Sequence, residues 1–410
     1  MANPTVRERA KASRETAKNP TITVNWRASA RLRHGHVWVY RSDILKQDEL
    51  APAALVTVHD EGGKFLGTAL YSSSSQIALR FLGIEKLKAA DLLPELRKRV
   101  PAAIEYRKKL VENADAYRVV FSEADGLPGL IVDKYNDVLS LQALTQAMDR
   151  GDVREVILKE LVDQLAPAGV VESVDPRIRK LESLPPREES LLHGTKQDTT
   201  FHLNGVRFHY HGLGGQKTGA FLDQRENYAA TARYAHGRAL DVFTYQGGFA
   251  LHLARVCKEV AAVDSSRPAL EVAEQNEQLN REHHAKDIEW IEANAFDLLK
   301  DYSTAGEQYD TIVLDPPAFA KSKKVLDTAM RGYKELNLRA LKMLKPGGVL
   351  VTCSCSFHVP EADFMDMLRA ASFDARRTLK VLERRGQSKD HPVLLSVPET
   401  GYLKCVILAV

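Results

Sequence analysis

At 410 residues the chain is long for one domain, and its 44% hydrophobic and 27% charged residues exclude a disordered or fibrous protein. A net charge of +3 permits a nucleic-acid partner without arguing for one. Four cysteines exclude a disulfide framework and predict a reducing, cytoplasmic setting, and no apolar run reaches the length of a membrane span.

Residues 1–22 begin "MANPTVRERAKASRETAKNP", without an apolar segment, and read as a flexible basic arm. From 23 to 90 short β-like runs follow ("HVWVY", "ALVTVHD", "FLGTALYS", "QIALRFLG"), with a hairpin at Glu61-Gly62-Gly63. This pattern predicts a small β-barrel. Inside it, "RASARLRHGH" (Arg27–His36) holds three arginines and two histidines without an acid. Arg31 and Arg33 are therefore candidate phosphate contacts, weighed against a merely solvated face. A basic helical stretch follows over about 87–113, with Pro101 expected to kink or restart it.

Residues 91–195 predict a small central α/β domain. Strands surround the turn-rich "DGLPG" and Asn136-Asp137, a helix covers about 146–164, and "LPPREESLLHGTKQD" reads as a polar linker. A strand pair turning at Asn204-Gly205 opens the last region, 196–410. There helices alternate with apolar strands ("RALDVF", "EVAAVD", "IEWIEA", "YDTIVLD", "GGVLVTCSC"), which predicts a parallel sheet covered on both faces. "KVLERR" and "YLKCVILAV" should close it as an antiparallel hairpin.

The first of these strands ends in "ALDVFTYQGGFALHLAR". Asp241 stands near its end, Gly247 and Gly248 make the turn, and a helix starts at once. The next strand ends in Asp264, placed to accept both hydroxyls of a ribose. A pyrophosphate would meet Asp241 and lacks its three spaced glycines, so S-adenosylmethionine, with an ammonium and a sulfonium, fits better than a dinucleotide. Asn294, after the third strand, is placed for the adenine edge. "YDTIVLDPPAFAKSK" then gives a stiff loop in which Asp315, Pro316 and Pro317 would meet the edge of a planar base, with Phe319 to stack on it.

Strand alternation puts Val349, Val351, Cys353 and Cys355 on one face, with Cys355 nearest the rim. One residue between the two cysteines is the wrong spacing for a zinc pair, and no metal is predicted. Carbon 5 of cytosine needs a thiolate at carbon 6 before it can attack a methyl donor. Cys355 is the preferred nucleophile and Cys353 the second choice, against a packing role for both.

Together "LRHGHVWVYRSDI", "FSEADGLPGLIVDKYND", "GQKTGAFLDQREN", "DVFTYQGGFALHLA", "LDPPAFAKSK", "KPGGVLVTCSCS" and "DHPV…GYLK" resemble the bacterial and archaeal PUA-domain ribosomal RNA cytosine-5 methyltransferases. These are class I S-adenosylmethionine enzymes acting on large-subunit rRNA. The resemblance runs from about residue 23 onward. It implies an N-terminal PUA-like barrel, a small central α/β domain and a C-terminal Rossmann-like methyltransferase domain. It maps the nucleophile to Cys355 and the cofactor loop to Asp241, Phe243, Tyr245, Gly247 and Gly248. Asp264 and Ser265, then Asn294 and Ala295, would flank the cofactor further on. Lys217, Asp223 and Arg225 would be polar contacts from the segment covering it. Two positions depart from the pattern: the second cysteine at 353, and Ala220, where bulkier residues are usual. A base-nitrogen methyltransferase that leaves the cysteine idle, and a non-catalytic RNA-binding protein, are the competing readings. A homodimer is compatible with the family, though no stretch argues for one.

Overall fold

The computed structural model describes residues 18–213, 220–283, 286–320 and 325–410. A six-stranded sheet comes first: β1 (Thr21–Val24), β2 (Trp38–Tyr40), β3 (Ile44–Gln47), β4 (Leu55–His59), β5 (Phe65–Tyr71) and β6 (Ile77–Gly83), in the order β2-β6-β5-β4-β1-β3. The Glu61–Gly63 hairpin joins β4 to β5 as expected, with Gly63 at φ 79°. Two features were not anticipated. The strand β1 begins inside the segment read as an arm, because Ile22 and Val24 are fully buried. The basic run forms a helix, α1 (Trp26–Arg33), whose Asn25 side chain accepts from the Ala28 amide and caps it.

On that helix the two candidate phosphate contacts already have acidic partners. Arg31 pairs with Asp43 at 2.5 Å and Arg33 pairs with Asp60, so acids distant in sequence partly neutralise both. Arg27 lies over the ring of Trp26, which is 66% exposed.

The central region is a five-stranded sheet of β7 (Ala116–Phe121), β8 (Leu130–Tyr135), β9 (Val138–Ala143), β10 (Gly169–Glu172) and β11 (Ser190–Gly194). It packs against α2 (Leu92–Lys108) and α3 (Gly151–Leu165). Pro101 does not break α2; Leu96, Val100, Ala103 and Ile104 bury one continuous face across it. The polar linker contributes β11, which pairs antiparallel with β10 at the sheet edge. A short helix, α4 (Pro176–Leu181), precedes it.

The hairpin of β12 (Asp198–Leu203) and β13 (Val206–His211) turns at Asn204 and Gly205, with φ of 53° and 80°. Beyond it lies the seven-stranded sheet: β14 (Arg238–Val242), β15 (Glu259–Asp264), β16 (Glu289–Glu292), β17 (Tyr309–Leu314), β18 (Leu344–Ser354), β19 (Lys380–Arg385) and β20 (Lys404–Ala409). The order is β16-β15-β14-β17-β18-β20-β19, parallel except for β20, which runs antiparallel to both its neighbours. Helices α5 (Arg225–Tyr234), α6 (Gly248–Leu253), α7 (Arg267–Asn280), α8 (Ala295–Ala305), α9 (Leu326–Met343) and α10 (Glu361–Asp374) accompany these strands. Chain order reverses between β14 and β17, and the crevice beyond the carboxyl ends of such strands is where ligands bind.

Candidate active site at the carboxyl ends of the sheet

A cleft of about 610 Å³ opens at that switch point. Nine of the anticipated residues line it: Asp223, Phe243, Tyr245, Asp264, Ser265, Asp315, Pro316, Pro317 and Cys355. The loop after β14 forms one wall. Phe243, Tyr245 and Gly247 all have positive φ, at 69°, 51° and 85°. Two of these are bulky side chains in a region L-residues avoid, so the loop is held in place. Asp264 does part of the holding, its two carboxylate oxygens accepting from the amides of Tyr245 and Ser266 at 2.9 Å each. Gly248 admits no side chain, because a Cβ there would stand 2.5 Å from the Tyr228 hydroxyl oxygen.

Asp241 lies behind the loop and is fully buried. Its Oδ2 accepts from the Thr244 hydroxyl at 2.6 Å and the Ala250 amide at 2.9 Å, while Oδ1 has no partner among the described residues. Burial pushes its carboxyl up to about 7, with Asp264 adding to the rise. A buried carboxylate oxygen left without a donor suits a ligand bearing an ammonium group.

Asp315 directly follows β17, with Gln224 Nε2 donating to it at 3.0 Å. Burial, then the neighbouring Asp223 and Asp241, push it up to about 8, against hydrogen bonds from Gln224 and the Cys353 thiol. Asp223 accepts from the Tyr402 hydroxyl at 2.6 Å. Cys355 sits just past β18 on the rim of the cleft, its Sγ 3.9 Å from the Pro316 carbonyl oxygen. Burial, then Asp315 and Asp223, push its thiol up to about 12.

Several of the anticipated residues do not line the cleft, and one lies outside the described residues. Cys353 is fully buried, opposite Cys405 in the β18–β20 ladder, and packs with Val349 and Val351. Its thiol is pushed well above the ordinary value by burial, so it belongs to the core. Arg225 does not reach the cleft; its guanidinium is committed to Asp390 at 2.8 Å, both side chains being buried. Asn294 caps α8, its side-chain oxygen accepting from the amides of Phe296 and Asp297, with Ala295 buried beneath. Phe319 turns into an aromatic cluster, 4.8 Å from the ring of Tyr333, rather than lining the cleft. Arg31 and Arg33, as described, lie elsewhere in salt bridges with Asp43 and Asp60. Lys217 lies outside the described residues.

Sequence reasoning missed Phe221, Gln224, Tyr402 and Leu403, all of which line the cleft. Phe221 is 49% exposed and 5.1 Å from the ring of Tyr245, the position an aromatic needs to cover a planar ligand. The signal was present, since Phe221 and Gln224 fall within "GQKTGAFLDQREN" and Tyr402 within "GYLK".

A family profile for a PUA-like domain matches residues 22–83, and one for S-adenosylmethionine-dependent methyltransferases matches residues 179–405. The chain belongs to the S-adenosylmethionine-dependent methyltransferase family. S-adenosylmethionine is accordingly its cofactor, in agreement with the orphaned carboxylate oxygen of Asp241. This methyltransferase is 35% identical over 381 residues to ribosomal RNA large subunit methyltransferase I of Photobacterium profundum, covering 91% of this chain and 95% of that one. It is 36% identical over 392 residues to the protein of the same name from Shewanella frigidimarina, covering 92% and 96%. Among solved structures, a candidate methyltransferase complexed with SAH superimposes with a TM-score of 0.81 at 19% identity, covering 95% of this chain and 100% of that one. A second, from Streptococcus mutans, gives 0.79 at 18% identity over the same shares. At such identities these two show the shared fold.

Proposed function

We propose that this methyltransferase modifies carbon 5 of a cytosine in large-subunit ribosomal RNA through a covalent adduct with Cys355. The observation that carries the reading is the meeting of Cys355, Asp315 and the Pro316-Pro317 loop in the cleft that Asp264 also lines. The names of the relatives support the substrate class.

Bound S-adenosylmethionine supplies an electrophilic methyl group on a positive sulfonium. Asp264 would hold the ribose, Asp241 the ammonium end, and Phe221 would cover the rings. For the base, Cys355 Sγ forms a bond to carbon 6, and the electron pair of the carbon 5–carbon 6 double bond becomes available at carbon 5. Asp315, raised to about 8, carries a proton near neutral pH and offers it to ring nitrogen 3, where negative charge develops. With that pair carbon 5 would take the methyl group as the methyl–sulfonium bond breaks and leaves a neutral thioether. Nitrogen 3 returns its proton to Asp315, a base takes the carbon 5 proton, and the returning pair expels the cysteine sulfur as thiolate. On the N-terminal sheet, α1 presents exposed Trp26 and Arg27, a stacking surface beside a cation, as the RNA contact.

Ribosomal RNA carrying 5-fluorocytosine tests the reading, because fluorine blocks the last proton loss. The protein should stall as an RNA adduct, and the adducted peptide should contain Cys355. Methylated rRNA without any adduct would instead mean a nitrogen target.

A further inference from the structure

The adduct chemistry asks for a thiolate, yet burial and two carboxyl groups hold the Cys355 thiol protonated. One buried cation nearby is unused by the mechanism so far. Lys404 opens β20 opposite Ser354, so it stands beside the strand end from which Cys355 projects. It is 8% exposed, and among the described residues no carboxylate forms a salt bridge with it; Glu361 pairs instead with Arg384 at 3.8 Å. Its ammonium donates to the carbonyl oxygens of Ser356 at 2.7 Å and Tyr402 at 2.9 Å. Ser356 follows Cys355 in the chain, and Tyr402 lines the cleft. A buried ammonium satisfied by carbonyls alone is poised for an anion.

We propose that Lys404 is a positioning residue that stabilises the Cys355 thiolate before it attacks the base. The inference rests on the assignment of Cys355 as nucleophile. The thiol proton leaves to solvent, the ammonium keeps its three protons, and the charge pair ends when the sulfur electron pair forms the bond to carbon 6. Electrostatics agree in both directions: Lys404 lowers the Cys355 thiol, and Cys355 followed by Glu361 holds up Lys404 against the burial that brings it to about 8. The other groups facing this pair are Asp315 after β17, Asp223 before α5, Tyr402 before β20 and Tyr333 on α9. Asp315 and Asp223 oppose the thiolate, and the proton that Asp315 holds near neutrality weakens its share. The competing role is a mechanical one, in which Lys404 only ties two carbonyls across the β18–β20 end.

The rate of Cys355 alkylation by iodoacetamide, followed against pH by peptide mass mapping in the full-length protein, separates the two roles. In Lys404→Met the midpoint should rise by about one to two pH units. Methyl transfer at pH 7.5 should fall by the matching factor of about 10 to 100. In Lys404→Arg, which keeps the charge, the midpoint should stay at or below that of the wild type. An unmoved midpoint in Lys404→Met, or an upward shift in Lys404→Arg equal to that in Lys404→Met, overturns the proposal. If Lys404→Met does not fold, Lys404→Arg against wild type decides: a midpoint a unit higher refutes a role for charge. Trapping of wild type on 5-fluorocytosine RNA keeps the two assignments apart. No adduct at Cys355 removes the nucleophile itself, whereas an adduct with an unmoved Lys404→Met midpoint removes only Lys404.

Discussion

Asp390 is a fully buried acid and Asp315 a half-buried one at the cleft, and their surroundings treat them in opposite ways. Asp390 accepts from the Arg225 guanidinium at 2.8 Å and the Arg118 amide at 2.8 Å, while its carbonyl receives the Arg107 guanidinium at 2.9 Å. The adjacent His391, then Arg225 and the Arg118 amide, hold its carboxyl well below the usual carboxylate range despite burial. Asp315 and Asp241 face no such cation among the described residues and are pushed up to about 8 and 7. Arg107 and Arg118 come from the central region and Arg225 from the last one, so the Asp390 cluster joins two sheets. The lesson is one of division of labour. Charge is fully matched where the chain must stay together and left unmatched where a ligand completes it.

The comparison breaks most visibly if the cleft proves structural. Cys355→Ala should lower methyl transfer to rRNA by about 10³-fold or more while leaving the melting temperature and cofactor titration near wild type. Retained activity would remove the cysteine from the chemistry. On the other side, Asp390→Ala leaves Arg225 buried without its partner, and should cost about 3–5 kcal/mol in a denaturant titration. A loss below about 1 kcal/mol would mean the cluster does not hold the two regions together. Next in size, Asp264→Ala should weaken S-adenosylmethionine by about 2–4 kcal/mol in calorimetry, through lost charge-assisted hydrogen bonds. Unchanged affinity would move the ribose elsewhere.

Proton linkage sharpens the same contrast. Raised carboxyls such as Asp241 and Asp315 weigh nothing below the unfolded value of about 4. Their cost appears as pH climbs toward 7 and 8, because the unfolded chain then binds fewer protons than the folded one. Asp390, being depressed, contributes its stability above about pH 4 and loses it as pH falls further. Ligand-free Asp241→Asn should therefore gain on wild type between pH 5 and pH 8 in denaturant midpoint. A difference that is flat over this range would contradict the burial argument. The smallest effect expected is that of Cys353→Ala, about 1 kcal/mol of packing with methyl transfer retained. An inactive but stable variant would return the nucleophile question to Cys353.

What the sequence showed and what it hid follow from range. The strands β14, β15, β17 and β18 are covered on both faces and so appear as apolar runs ending in Asp241, Asp264, Asp315 and Cys355. Their order along the chain is enough to bring those ends together. Arg225, in contrast, looked like a cofactor contact because its partner Asp390 lies 165 residues away. Arg31 and Arg33 looked free because Asp43 and Asp60 arrive from a turn and a hairpin. Phe319 was given the stacking role from its place after Pro317, yet the turn carries its ring toward Tyr333 and leaves the cleft to Phe221. Local pattern reveals elements, and tertiary pairing decides which charges and rings remain available.

The bent loop of Phe243, Tyr245 and Gly247 carries a consequence for how the cofactor is met. Holding two large side chains in the left-handed region costs about 1–2 kcal/mol each. Asp264 grips the Tyr245 amide and Asp241 the Ala250 amide, so the carboxylates assigned to the ligand are also those that keep the loop bent. The strain is thus met during folding, and little reorganisation is left for the moment of encounter. Recognition here is preorganised: the loop is already in shape when S-adenosylmethionine arrives, and whatever loosens either carboxylate loosens the mould together with the grip.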